Sequence, residues 1–235
     1  MLRVGLLSPL SCPLQVVNRV FVLLMRFFSS FFFYFVELCR QSFANVPEDD
    51  EDLRGELAPI QVQLGFIRQR LDKPDEAVEI YNDVLKFKSG DEAVRAVASN
   101  NVVSIKQDHQ LFDSIKKLKT ASGDAALQKL LSSQRRTIAF NQALLHLYTR
   151  KYQQVQEDVD ALIKEYPTSE LPYLILASAT LSEKKLPAAL QQLEDFLGKV
   201  PNPVLIPLTL AQLSLQEGNI EKAVTYLKAV CQFSS

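Results

Sequence analysis

Leu171 to Pro201 reads LPYLILASATLSEKKLPAALQQLEDFLGKVP. An apolar helix, a short polar turn and a second helix opening on a small residue, Ala189, are legible in it. The stretch that follows, NPVLIPLTLAQLSLQEGNIEKAVTYLKAVCQ, repeats the design with Ala223, and LAPIQVQLGFIRQRLDKPDEAVEIYNDVLKF, from Leu57, repeats it with Ala77. Ala189 and Ala223 stand 34 residues apart, and Val155 stands 34 before Ala189. A fixed stride of this size marks a helical repeat array.

The residue types suit such an array. Two antiparallel helices approach closely only where a small side chain separates them, which is the role expected of Ala77, Ala189 and Ala223. Leu64-Gly65, Leu176-Ala177 and Leu210-Ala211 recur in the first helices, and Tyr81, Val159, Leu193 and Leu227 recur in the second. Pro167 and Pro201 stop the second helices, because proline removes a donor and clashes with the preceding turn. The spacing is that of tetratricopeptide repeats. The fold class expected is all-α: a tetratricopeptide-repeat-like α-solenoid of antiparallel helix pairs, preceded by an apolar N-terminal helical segment.

The expected divisions are an apolar, aromatic extension over 1–37, a helix end and acidic linker over 38–56, and one repeat over 57–91. An irregular helical insert over 92–135 and three repeats over 136–235 complete them. The insert follows from counting, since Ala77 and Val155 lie ten residues further apart than two periods. The linker follows from VPEDDEDLRGE, Val46 to Glu56, which is acidic and nearly free of apolar residues.

The extension is unlike the rest. Seven of the chain's fourteen phenylalanines fall between Phe21 and Phe35, and Val20 to Val36 carries one charge, Arg26. Seventeen residues fall slightly short of the roughly 20 that span a bilayer. Three readings stay open: read-through of pyrimidine-rich non-coding sequence, a membrane anchor over 20–36, and a core or targeting segment.

Over 235 residues the chain is 47% hydrophobic and 23% charged, with a formal net charge of -1. Near-neutrality argues against a surface dominated by nucleic-acid phosphates. Seven glycines and no tryptophan favour helix over sheet. Cys12, Cys39 and Cys231 are odd in number and lack metal or disulfide spacing, which fits a reducing compartment.

A helical array offers a concave surface built from its first helices, so binding is the expected activity. The groove-facing candidates are Phe66, Phe140, Leu144, Leu147, Tyr148, Leu171, Leu174, Leu181, Leu205, Leu208 and Leu215. Their apolar character favours an apolar helix or peptide. A clamp for a terminal carboxylate needs convergent polar groups; Asn141 suits one, but Leu171 and Ile175 do not. Lys116, Lys117 and Lys119 with Arg135 and Arg136 are weak RNA candidates, short basic clusters in a neutral chain. His109 and His146 have no paired nucleophile or metal spacing, and Glu157, Asp158 and Asp160 read as solvated helix faces. No glycine-rich phosphate loop is present, no cofactor is implied, and no enzyme is expected.

ASNNVVSIKQDHQLFDSIKKLK, Ala98 to Lys119, and RRTIAFNQALLHLYTRK, Arg135 to Lys151, owe nothing to the repeat consensus. They resemble the seventy-two-kilodalton protein subunit family of the signal recognition particle, and the resemblance runs from about Leu38 to the C-terminus. It implies a cytosolic ribonucleoprotein associated with the endoplasmic reticulum, particle RNA, and the sixty-eight-kilodalton subunit as partner. Family regions that hold that partner and the RNA are not recognisable here, so the chain reads as a middle portion. The alternative is a generic tetratricopeptide adaptor, membrane-tethered through 20–36. AVTYLKAVCQFSS lacks a polar capping helix, so an exposed apolar flank and self-association are expected.

Overall fold

The computed structural model describes residue 41 and residues 51–86 and 91–233. The expected N-terminal helix over 1–37 lies outside these residues. The described residues form α1 (Glu51–Arg70), α2 (Pro74–Lys86), α3 (Glu92–Lys106), α4 (Leu111–Ala121), α5 (Asp124–Lys129) and α6 (Ser132–Tyr148). Further along come α7 (Tyr152–Glu165), α8 (Leu171–Ser182), α9 (Leu186–Leu197), α10 (Leu205–Gln216) and α11 (Ile220–Phe233). Two compact units divide the chain, the first ending at Leu145 and the second resuming at His146.

One expectation needs correction. The acidic stretch ending at Glu56 reads as linker, but α1 begins at Glu51 and continues through Pro59. Acidic residues at a helix N-terminus complement the positive end of the helix dipole, so the composition that suggests a solvated loop also suits a first turn.

In the second unit α7, α8, α9, α10 and α11 pack each against the next. Val155, Ala189 and Ala223 are fully or almost fully buried there, as the stride requires. The core joins Tyr173 and Ala177 of α8, Leu193 and Phe196 of α9, and Ile206, Leu210 and Leu213 of α10. Glu170 adds a polar staple between successive pairs. Its carboxylate accepts from the backbone N–H of Val204 at 2.9 Å and of Ile206 at 2.7 Å, capping α10, which has no side-chain cap of its own. Buried N–H groups at a helix start need such an acceptor.

The hairpin turns repeat as faithfully as the core. Arg150, Lys184 and Gly218, again 34 residues apart, all have left-handed φ, as does Asp72 in the first unit. The next residue in each turn, Lys73, Lys151, Lys185 or Asn219, donates its N–H to a carbonyl five residues back, at 2.8–3.2 Å. This is the Schellman arrangement, which satisfies the last carbonyls of a helix and reverses the chain. A tetratricopeptide-like helix pair is therefore defined here by its turn as well as by its small residue.

In the first unit α1 packs on α2, α2 on α3, and α3 on α4 and α5. Ala77 and Tyr81 of α2 are fully buried with Ala58 and Val62 of α1 and Ala98 and Val102 of α3. Gly65 makes room for the Tyr81 ring: a Cβ at that position would lie 2.6 Å from Tyr81 Cε1. A second core joins Ala96 and Val103 of α3, Leu118 and Ala121 of α4, Ala126 of α5, and Ile138 and Leu145 of α6. Residues 92–131 contain a helix pair, α3 and α4, whose connection abandons the Schellman turn. Gln107 and Gln110 both adopt positive φ, and short α5 follows.

On α11, Ile220, Val224 and Leu227 are 66%, 42% and 41% exposed. Leu193, one period before Leu227, is fully buried against α10. The expected exposed apolar flank is thus present.

Candidate functional site

Helices α1, α3 and α6 border a groove with a volume of about 280 Å³ in the first unit. Each contributes one helical face: Val62, Gln63 and Phe66; Val97, Asn100 and Asn101; Ser133, Gln134, Thr137 and Ile138. The spacings of three and four residues within each set bring these side chains to one broad face of their helices. Half-exposed Phe66 has the Arg70 guanidinium 5.4 Å above its ring.

The polar floor is held from behind. Tyr81 Oη donates to Gln69 Oε1 at 3.3 Å and accepts from Asn101 Nδ2 at 3.1 Å, and Gln69 Nε2 donates to Ser104 Oγ at 3.1 Å. Asn141 Nδ2 donates to Asn100 Oδ1 at 2.8 Å, tying α6 to α3. Burial pushes the Tyr81 hydroxyl far above the ordinary phenol range, while the Asn101 hydrogen bond pulls weakly the other way. The hydroxyl therefore stays a neutral donor that fixes both amides. Asn141, the carboxylate-clamp candidate, is occupied by Asn100.

The eleven groove candidates fall in both units and separate by burial. In the first, Phe66 lines the groove, Phe140 is buried at 8% exposure and Leu144 is half-buried. In the second, Leu147 is buried at 3%. Tyr148, Leu171 and Leu205 are half-buried, and Leu174 and Leu181 pack against the core. Leu208 and Leu215 remain exposed on α10, at 39% and 53%. Phe140 and Leu147 are corrected from surface-lining to interior residues, because their helix turns them inward. The apolar rule missed Gln63, Asn100, Asn101, Ser133, Gln134 and Thr137. Two adjacent amides among the alanines and valines of α3 are the signal that marks them.

The basic candidates are dispersed in role. Lys117 lies 3.6 Å from Asp113, whose other partner, Lys106, is at 2.9 Å. Burial favours protonation of Asp113, but these two lysines prevail and lower its pKa. Lys116 covers the Phe112 ring at 4.2 Å, Arg135 donates to the Leu127 carbonyl at 3.4 Å, and Arg136 sits 5.6 Å from the Phe140 ring. Lys119 is exposed on α4. His109 is exposed, whereas His146 Nδ1 meets Asp158 Oδ2 at 2.7 Å. Asp158 is therefore a half-buried partner of a neighbouring helix turn and not the solvated face expected of it. Among the described residues no group of three or more His, Cys, Asp or Glu is placed to hold a metal ion. No described helix is long and apolar enough to cross a membrane, and residues 20–36 lie outside the described residues.

No family model matches the chain. The signal recognition particle subunit SRP72 of Homo sapiens is 36% identical over 196 residues, 83% of this chain and 29% of that protein. The Schistosoma mansoni SRP72 is 38% identical over 185 residues, 76% of this chain and 26% of that protein. The Caenorhabditis elegans SRP72 is 30% identical over 162 residues, 67% of this chain and 25% of that protein. The chain thus spans under a third of the curated relatives it matches. Across the solved structures, a MamA RS-1 ArsTM double mutant aligns with a TM-score of 0.50 at 12% identity, over 77% of this chain and 96% of that one. That likeness supports the helical-repeat fold alone. The resemblance read from Ala98–Lys119 and Arg135–Lys151 is one of homology to SRP72 along most of this chain.

Proposed function

We propose that this chain is a non-catalytic scaffold subunit of the signal recognition particle, supporting cotranslational targeting of proteins to the endoplasmic reticulum through protein–protein interaction. Homology to SRP72 over most of the chain is the observation that carries the reading. The stacked helix pairs agree with it, since such arrays present long side-chain surfaces to partners. On this reading the chain is cytoplasmic, meets the endoplasmic reticulum through the particle, and has the sixty-eight-kilodalton subunit and particle RNA as its assembly partners. Its chemistry is recognition, with catalysis belonging elsewhere.

The test is affinity recovery of the tagged full chain from cells, with particle RNA and the sixty-eight-kilodalton subunit measured in the eluate. Both are expected to be enriched over an untagged control. Absence of both, with the chain retained in carbonate-washed membranes, would instead assign it to the tethered-adaptor alternative. Turnover of a substrate lost on His146→Ala would overturn the non-catalytic reading.

A further inference from the structure

Helix α11 carries apolar side chains in one outward row. Ile220, Val224, Leu227 and Cys231 are all exposed and follow one another at spacings of four, three and four residues, which places them along a single face. The rest of the helix is already engaged: Ala223 is buried, Tyr226 donates to the Glu194 carboxylate of α9, and Lys222 lies 3.9 Å from the same carboxylate. Rolling the helix to bury the row would break these contacts, so the row can be covered only from outside the hairpin.

Alternating steps of four and three residues form the seam of a coiled coil, in which two helices interlock their apolar side chains. This row has the same spacing read in either direction. Two copies of α11 running antiparallel about a two-fold axis between Val224 and Leu227 therefore set each Val224 against the partner's Leu227, and each Ile220 against the partner's Cys231. Four apolar layers form without a gap.

The charges separate this pairing from a parallel one. Glu221 and Lys228 are exposed, two turns apart, each directly after a residue of the row, and so flank it on one edge. In the antiparallel pair that edge meets itself, and Glu221 comes within reach of the partner's Lys228, the two differing by only about 3 Å along the axis. The contact occurs twice. In a parallel pair the same edge would face Ala223 and Val230, with no opposite charge to meet.

We propose that α11 is a self-recognition helix through which two copies of this chain pair, antiparallel and two-fold, in a closed dimer. Pairing uses the row of both copies, so association stops at two. One pair of short helices buries less than the roughly 1,200 Å² at the low end of stable interfaces, so the dimer is weak, with a Kd of about 10–100 μM, and absent from dilute solution. The inference goes beyond the particle assignment and does not depend on it.

The test is sedimentation velocity of the purified full chain from about 1 to 200 μM, with circular dichroism as the folding control. A monomer–dimer equilibrium with nothing larger is expected. Val224→Lys, at an exposed position, should weaken it at least about tenfold with unchanged circular dichroism. Glu221→Lys and Lys228→Glu should each weaken it about threefold or more by setting like charges across the seam twice, and the double swap should restore it. Crosslinking reads the register in a chain carrying Cys12→Ser and Cys39→Ser. Mild oxidation should leave that chain uncrosslinked, since the two Cys231 lie about 16 Å apart along the axis, and should convert its Ile220→Cys variant to covalent dimers. A monomer at the highest concentration, association indifferent to Val224→Lys, no recovery in the double swap, or crosslinking through Cys231 alone would overturn the proposal. An open series of larger species suppressed by Leu53→Lys and Ile60→Lys, both exposed on α1, would assign the row to head-to-tail stacking and overturn it equally.

Discussion

The α8–α11 hairpins and the α3–α5 segment solve the same packing problem by different means. In the hairpins, alanines at a 34-residue stride bring helices together, leucines fill the layer between pairs, and a Schellman turn with one left-handed residue reverses the chain. In α3, buried Ser99 and Asn100 interrupt the apolar face, and cohesion comes partly from amide and hydroxyl pairs with α1, α2 and α6. Apolar layers are tolerant and repeatable. Polar pairs are directional, and each depends on one specific partner. The groove between α1, α3 and α6 is bordered by such pairs.

The largest expected contrast sets two leucines of one repeat position against each other. Leu193→Ala empties a fully buried site and should cost about 2–5 kcal/mol in urea unfolding, whereas Leu227→Ala, already 41% exposed, should cost under about 1 kcal/mol. Equal losses would show that α11 is covered as α9 is. Gly65→Ala comes next: its methyl group must displace the Tyr81 ring, which is tethered by Gln69 and Asn101, for a net loss of about 1–3 kcal/mol. A gain there would mean that the polar tether is loose.

The turns give a smaller, signed pair. Lys184→Gly relieves a left-handed lysine and should stabilise by up to about 1 kcal/mol, while Gly218→Ala at the equivalent turn should destabilise by about 1 kcal/mol. Like signs would break the equivalence of the two hairpins. The smallest effect is in pH. Tyr226 donates to the Glu194 carboxylate, and burial first, then that carboxylate, raises its pKa from near 10 to about 12. A raised folded-state value means that its contribution is intact below pH 10 and is lost as pH climbs towards about 12. Thermal unfolding across that window should show a loss that is reduced in Tyr226→Phe.

The regular part of this architecture was legible because alanine, leucine and proline recur at a period that local sequence displays. Val155, Ala189 and Ala223 are buried at the positions where the stride demands it, and Ala77 is buried at the matching place of its own helix pair. The site was less legible. Apolar first-helix residues were the natural candidates, but burial depends on where a helix turns each face, so Phe140 and Leu147 went inward. Asn100 and Asn101 stand out in the sequence only within the stretch that carries the family resemblance, because their partners are 41 and 20 residues away and no local pattern announces such pairs. The start of α1 is hidden in the sequence for a related reason, since acidic residues serve a loop and a helix first turn equally well.

The amide pair of Asn100 and Asn141 joins α3 to α6 and so holds the groove together, and a double-mutant cycle on the two residues measures that directly. Unfolding free energies of Asn100→Ala, Asn141→Ala and the double variant should reveal a coupling of at least about 1 kcal/mol. Additivity within about 0.3–0.5 kcal/mol would show that the two side chains do not act together and would remove the structural basis of the groove.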